Sequence, residues 1–260
     1  MNRGNESRFR PPRAWPGLAA LLFLLSACAH APGGPQPWAQ RAVATPRPAT
    51  ATGFEEERIA DPIEPWNRTM FRFNDTLYMR VIKPATKAYD AVMPEGVRVS
   101  VRNFFINLDT PVRAVNAVLQ GNVPALGVEV ARFTLNSTLG LAGFMDVARD
   151  RFNIQPQEKD LGLTLGKWGF GEGFYIVWPA LGPSTLRDSI GMAGDDFFLT
   201  PISYVSPTID AFGISAYDYF NRASLELGQY EEMKASSLEP YTAFKNAYFQ
   251  YRRHLLRKDP

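Results

Sequence analysis

The only cysteine of the chain, Cys28, closes a short apolar run, Leu18-Ala19-Ala20-Leu21-Leu22-Phe23-Leu24-Leu25, that follows Arg3, Arg8, Arg10 and Arg13. A basic stretch, an apolar core of roughly ten residues and small residues before a cut site make a secretory signal, too short to span a bilayer. This placement constrains everything downstream. A chain exported with its one thiol at the cut site forms no internal disulfide, so the remainder must fold by packing alone even in an oxidising compartment. No later stretch approaches the roughly 18 apolar residues of a spanning helix, and no serial ten-residue alternating segments suggest a membrane barrel. If the domain meets a bilayer, it does so through amphipathic helices.

Composition sharpens two points. The net charge of +2 comes from the leader, whose four arginines face only Glu6; without it the chain carries about −1, which argues against nucleic acid as a partner. The aromatic load is high, with 18 Phe, 10 Tyr and 5 Trp. Such a density suits a large core, a membrane interface, or both.

Three regions follow. Residues 1–27 form the signal. Residues 28–57 are rich in Ala, Pro, Gly and Thr, as in Pro32-Gly33-Gly34-Pro35, and read as a flexible tether reaching on the order of 30 Å. Residues 58–260 are long enough for one sizeable core. Asp61-Pro62-Ile63-Glu64 predicts a helix start with Asp61 as N-cap, and Trp66, Met70, Phe73, Leu77 and Val81 continue it up to Pro84. Apolar faces recur at Val97–Leu108, at Val112–Leu119 before Gly121, and at Leu126, Val130 and Phe133 after a capping Asn122. The stretch Leu161–Gly173 holds too many glycines for a stable helix and predicts a loop or hairpin with the β-prone Phe174–Trp178. Helices resume after Ser184, Pro207 and Pro240.

Catalytic parts are scarce. His30 lies in the tether, and His254 stands among Arg252, Arg253 and Arg257, which read as a solvated basic helix end. Hydroxyl or thiol triads and zinc sites therefore lack components. Gly169, Gly171 and Gly173 do not complete a dinucleotide fingerprint, since position 174 is Phe. Asp195-Asp196 and Glu231-Glu232 are paired acids, but adjacent acids more often cap turns or stay solvated. No catalytic residue, metal site or cofactor is expected, and the chain is read as a non-enzyme.

Leu25-Ser26-Ala27-Cys28 resembles the bacterial lipobox, which implies a diacylglycerol on the Cys28 thiol and an acylated amino group after cleavage. Ala29, rather than Asp, follows the cysteine, which in such lipoproteins implies outer-membrane delivery facing the periplasm. From Asp61-Pro62-Ile63-Glu64-Pro65-Trp66-Asn67-Arg68-Thr69-Met70-Phe71-Arg72-Phe73-Asn74, through Arg132–Ala148 and Asp160–Asp188, to Ala247-Tyr248-Phe249-Gln250, the chain resembles the MlaA (VacJ-like) lipoproteins of the maintenance-of-lipid-asymmetry pathway. The resemblance implies a mainly helical, ring-like domain of amphipathic helices with a central channel and a short Gly-rich hairpin. It implies that misplaced phospholipids leave the outer leaflet of the outer membrane through that channel for a periplasmic phospholipid carrier, and that trimeric porins are partners.

It also implies that the segment holding Phe73 and Asn74 keeps the channel in its controlled state, the alternatives being core packing for Phe73 and a local hydrogen bond for Asn74. Lys167 is a candidate to meet a lipid phosphate, or else a surface lysine. Gly166, Gly169, Gly171 and Gly173 are candidates to hinge a gate, or else simple turn formers. The competing functions are an envelope phospholipase or other hydrolase working through Asp195 or Asp196, and a purely structural porin-associated lipoprotein.

Overall fold

A computed structural model describes residues 59–204 and 208–258. The signal, Cys28 and the tether lie outside the described residues. The described chain is mainly helical, as expected. Its elements are α1 (Glu64–Leu77), a π-helical turn (Tyr78–Ile82), α2 (Lys83–Val92), α3 (Glu95–Leu108), α4 (Thr110–Leu119), α5 (Val123–Thr138), α6 (Val147–Phe152) and α7 (Leu161–Lys167). Then follow β1 (Tyr175–Trp178), β2 (Gly182–Thr185), α8 (Leu186–Phe198), a 3-10 turn (Pro201–Tyr204), α9 (Thr208–Leu225), α10 (Gln229–Ala235) and α11 (Pro240–Lys258).

Several local expectations need correction. Asp61 does not cap α1; its carboxylate accepts from Asn67 Nδ2 at 2.7 Å, from the Tyr241 hydroxyl, and from Lys245 Nζ at 3.2 Å, so partners on α11 have claimed it. Pro84 does not end the first helix. The Lys83 amide reaches back five residues to Tyr78 O, and α2 then starts with the proline in its first turn, where no amide is needed. The Tyr78 hydroxyl (3.1 Å) and Lys83 Nζ (2.6 Å) both hold Glu231, which ties this wide turn to α10.

Leu161–Lys167 is a helix rather than a loop. Asp160 caps it through Leu163 N at 2.8 Å, and its glycines sit where neighbours come closest. A methyl group on Gly191 of α8 would lie 2.5 Å from Gly162 Cα, and one on Gly166 would meet Leu256 at 2.9 Å. Glycine here costs helix propensity but permits backbone-to-backbone contact, the device by which helices pack when small residues line their crossing. The hairpin lies further along than expected. β1 pairs antiparallel with β2 in the register Tyr175 to Thr185 and Trp178 to Gly182, so the return strand comes from Gly182-Pro183-Ser184-Thr185.

Two kinds of interior coexist. Around the hairpin, Tyr175, Val177, Tyr241, Tyr248 and Phe249 form an apolar core flanked by Met70 and Phe71. Across α4 and α5 the pattern is inverted. On α5 the buried stripe is Ala125, Glu129, Arg132 and Asn136, at helical spacing, while Val130 and Phe133 face outward. On α4, Thr110, Val112, Asn116 and Ala117 are buried, while Val115, Val118 and Leu119 are exposed. The buried polar groups pair with one another: Arg113 with Glu129 at 2.7 Å, Arg132 with Asp146 at 2.9 Å, and Asn136 with Asp146 at 3.0 Å. No described helix is long and apolar enough to cross a membrane.

Candidate functional site at the hairpin and the glycine-rich segment

Helix α1 holds the hairpin through two asparagines. Asn67, fully buried, donates to Tyr175 O at 2.9 Å and accepts from Val177 N at 2.8 Å. Asn74 does the same at the hairpin turn, donating to Trp178 O at 2.8 Å and accepting from Ala180 N at 2.7 Å. The bond expected to be local is thus long-range, and it secures a turn whose Ala180 sits in the left-handed region at φ 63°. Phe73, beside it, is not in the core; it is 49% exposed.

The glycine series lies before the hairpin. Lys167 ends α7 and is half-buried. Trp168 and Phe170 follow as exposed aromatics, the indole donating from Nε1 to Leu119 O at 3.0 Å. Gly169 (φ 90°) and Gly173 (φ 71°) occupy left-handed backbone, and a methyl on Gly173 would meet Leu186 Cβ at 2.9 Å. Gly171 shows neither constraint. Between them Glu172 takes both Nε and Nη2 of Arg253, at 3.0 and 3.1 Å, in a fork-to-fork pair. The segment therefore carries two aromatics outward on a stretch tied to α11 through Glu172 and Arg253.

Both ends of this region meet at one buried arginine. Arg252 grips Asp160 with Nη1 (2.6 Å) and Nη2 (2.9 Å), and Asp188 with Nε and Nη2 (both 2.9 Å). Tyr248 donates its hydroxyl to Asp188 Oδ2 at 2.7 Å. Burial acts against the Asp188 carboxylate, but Arg252 and Arg187 outweigh it and hold its pKa below the usual range. The expectation that Arg252 is part of a solvated helix end is therefore wrong, although His254 is exposed. The available signal was the pair of acids closing both ends of the motif from Asp160 to Asp188, which require a buried cation.

Asp195 is buried, and burial followed by the charge of Asp160 pushes its carboxyl up to about 7. Such a group suits acid–base work. Its oxygens are committed elsewhere: Oδ2 takes Leu161 N at 2.7 Å and Oδ1 takes Asn116 Nδ2 at 2.8 Å, docking the start of α7 onto α4 and α8. Among the described residues, no group of three or more His, Cys, Asp and Glu converges as metal ligands do.

The model of the MlaA lipoprotein family matches residues 59–255. The chain is 33% identical over 210 residues to the intermembrane phospholipid transport system lipoprotein MlaA of Escherichia coli K12, covering 77% of this chain and 80% of that one. An uncharacterised protein of Rickettsia felis is 31% identical over 189 residues, 73% of this chain and 75% of its own. A solved structure described as "Structural basis for maintenance of bacterial outer membrane lipid asymmetry" superposes with a TM-score of 0.66 at 32% identity, covering 76% of this chain and 99% of that one.

Proposed function

This chain belongs to the MlaA lipoprotein family, and from that premise we propose that it is an outer-membrane lipoprotein, anchored through Cys28 on the periplasmic side, that removes mislocalised phospholipids from the outer leaflet. The lipid passes through an amphipathic channel within the helical ring to a periplasmic carrier, with trimeric porins alongside. The observation that carries this reading is the inversion of α4 and α5. In water, an outward Val115, Val118, Val130 and Phe133 over a buried Glu129, Arg132 and Asn136 wastes apolar surface and desolvates charge. Against acyl chains the same arrangement is favourable, because hydrocarbon solvates the outward face and the inner amides and ion pairs satisfy one another.

Asn74, Phe73 and the segment from Lys167 to Gly173 are assigned to control of the route. The clamp at Asn74 sets the hairpin turn, and the glycines on either side of Trp168 and Phe170 permit that segment to move. Lys167, at the base of this segment, is the proposed contact for a headgroup. A hydrolase reading has no support at Asp195, whose two oxygens hold α7 in place.

The test is the amount of phospholipid in the outer leaflet of a deletion strain. Complementation with the wild-type chain should return it to the parental level, whereas Cys28→Ala should mislocalise the protein and leave the defect. Unchanged outer-leaflet phospholipid on deletion would overturn the reading. Turnover of labelled phospholipid by the purified protein would favour the hydrolase instead.

A further inference from the structure

Arg102 on α3 and Arg222 on α9 carry donors that no described residue accepts. Nε of Arg102, and Nη1 and Nη2 of Arg222, are buried without a hydrogen-bond partner. The Arg222 side chain is only 6% exposed; its Nε bonds Asp218 Oδ1 at 2.7 Å, while Asp109 Oδ2 stands 3.7 Å from Nη2, too far for a hydrogen bond. One turn beyond Arg222, Oε1 of Glu226 is likewise buried without a donor. The two helices are fixed side by side near these groups, Asn221 Nδ2 donating to Arg98 O at 2.9 Å and Arg98 Nη1 to Ser224 O at 2.8 Å. Arg149 on α6, one-third exposed, is itself ion-paired, its Nε 2.9 Å from Asp150 Oδ1 and 3.8 Å from Asp146 Oδ2.

This is not a closed ion-pair network. Burial, followed by the charges of Arg149 and Arg222, pulls the Arg102 guanidinium below its ordinary range, with Glu226 and Asp146 opposing. Burial pushes the Glu226 carboxyl up to about 8, with Arg222 and Arg102 opposing. Unmade hydrogen bonds on buried charged groups and gathered like charges are both unfavourable, and native structures keep them where a partner relieves them. An anion with several acceptor oxygens relieves both at once. A phosphodiester brings one charge and two free oxygens that match a guanidinium fork, and an uncharged Glu226 carboxyl donates where a carboxylate would repel.

We propose that Arg102 and Arg222, with Glu226 beside them, form a cradle for a phosphate oxyanion, which this protein meets as the phosphodiester of a glycerophospholipid. The assignment rests on the phospholipid-transport reading above and specifies which atoms of the lipid are recognised and where.

Calorimetric titration of the full chain in a maltoside detergent and phosphate-free buffer tests it. The ligands are dihexanoyl phosphatidylglycerol, dihexanoylglycerol, which lacks the phosphate, and inorganic phosphate. Arg102→Gln and Arg102→Met are each expected to weaken phosphatidylglycerol binding about tenfold, the value of one charge-assisted hydrogen bond, to leave dihexanoylglycerol binding unchanged, and not to lower the melting temperature, since each removes a buried charged group with an unmade hydrogen bond. Wild-type affinity for phosphatidylglycerol in both variants, or an equal loss for dihexanoylglycerol, overturns the cradle and leaves the transport reading standing. Absence of phospholipid binding by the wild-type chain overturns both. Inorganic phosphate bound as tightly as the lipid, and lost in the same variants, would assign the cradle to free phosphate and overturn the lipid assignment.

Discussion

Asn67 and Asn74 stand seven residues apart on α1, and each pairs its carboxamide with the hairpin backbone as a neighbouring strand would. The spacing is commensurate. Seven helical residues rise about 10 Å, and the three strand residues from Tyr175 O to Trp178 O advance about the same. A helix face thus replaces a missing third strand, with Ala60 O accepting from Tyr175 N at 3.0 Å beside it.

The clamp predicts unequal costs. Asn67→Ala leaves the Tyr175 carbonyl and Val177 amide unpaired in a buried place and should destabilise by about 3 kcal/mol. Asn74→Ala acts at a half-exposed turn and should cost about 1–2 kcal/mol, lowering the melting point by roughly 2–8 °C. Thermal denaturation in detergent measures both, and an unchanged melting point in Asn67→Ala would remove the clamp from the account. On the functional reading, Asn74→Ala should also alter outer-leaflet phospholipid while the protein remains folded.

Glycines divide into those that are compressed and those that are free. Gly191→Ala places a methyl against the Gly162 backbone, which cannot move aside as a side chain can, and should cost about 3 kcal/mol or more. Gly127 on α5 has open space around it, so Gly127→Ala should stabilise by up to about 1 kcal/mol. Denaturant titration of the two variants should give shifts of opposite sign.

These pairs show what was legible in sequence. Asn122 as the cap of α5, with its side chain 2.9 Å from Ala125 N, and the amphipathicity of α3 to α5 follow from local chemistry. Which face points inward does not, because periodicity locates a stripe and not its surroundings; Val130 and Phe133 look like core residues until Glu129 and Arg132 are seen paired inside. The helix over Leu161–Lys167 was hidden for a similar reason, since Gly162 and Gly166 depress local propensity in return for contacts made with Gly191 and Leu256. Asp61 and Arg252 looked like a cap and a solvated charge because the Tyr241 hydroxyl that holds Asp61, and the Asp160 and Asp188 carboxylates that hold Arg252, lie more than sixty residues away in the chain.

Arg252→Met should be among the most damaging single changes. It strips two carboxylates, Asp160 and Asp188, of their shared cation in a buried place, which is expected to cost about 3–5 kcal/mol. Asp188 has a depressed pKa in the folded state, so its contribution is present above the unfolded carboxylate range near pH 4 and is lost as pH falls through the lower folded value. Denaturation of the wild type between pH 3 and 6 should show this acid limb, and Asp188→Asn should flatten it.

Glu226 and Asp195 act in the opposite direction. Their folded pKa values, about 8 and about 7, lie above the unfolded values of 4.5 and 3.8, so the folded state holds more protons and stability falls as pH rises through that window. Urea midpoints at pH 5, 7 and 9 should decline, and Glu226→Gln should lessen the decline between pH 7 and 9. A midpoint rising with pH in the wild type would contradict the burial assigned to both groups.

Lipid transport from within the membrane requires the apolar faces of α4 and α5 to meet acyl chains. Spin labels placed singly at Val118, Val130 and Phe133 of the protein reconstituted in phospholipid bilayers, with Glu232 on α10 as an exposed polar reference, measure this through relaxation by oxygen and by a water-soluble nickel chelate. Labels at Val118, Val130 and Phe133 should be relaxed by oxygen and shielded from nickel, with Glu232 the reverse. Nickel accessibility at all four sites equal to that of the Glu232 label would mean that these faces lie in water, and would contradict lipid transport from within the membrane.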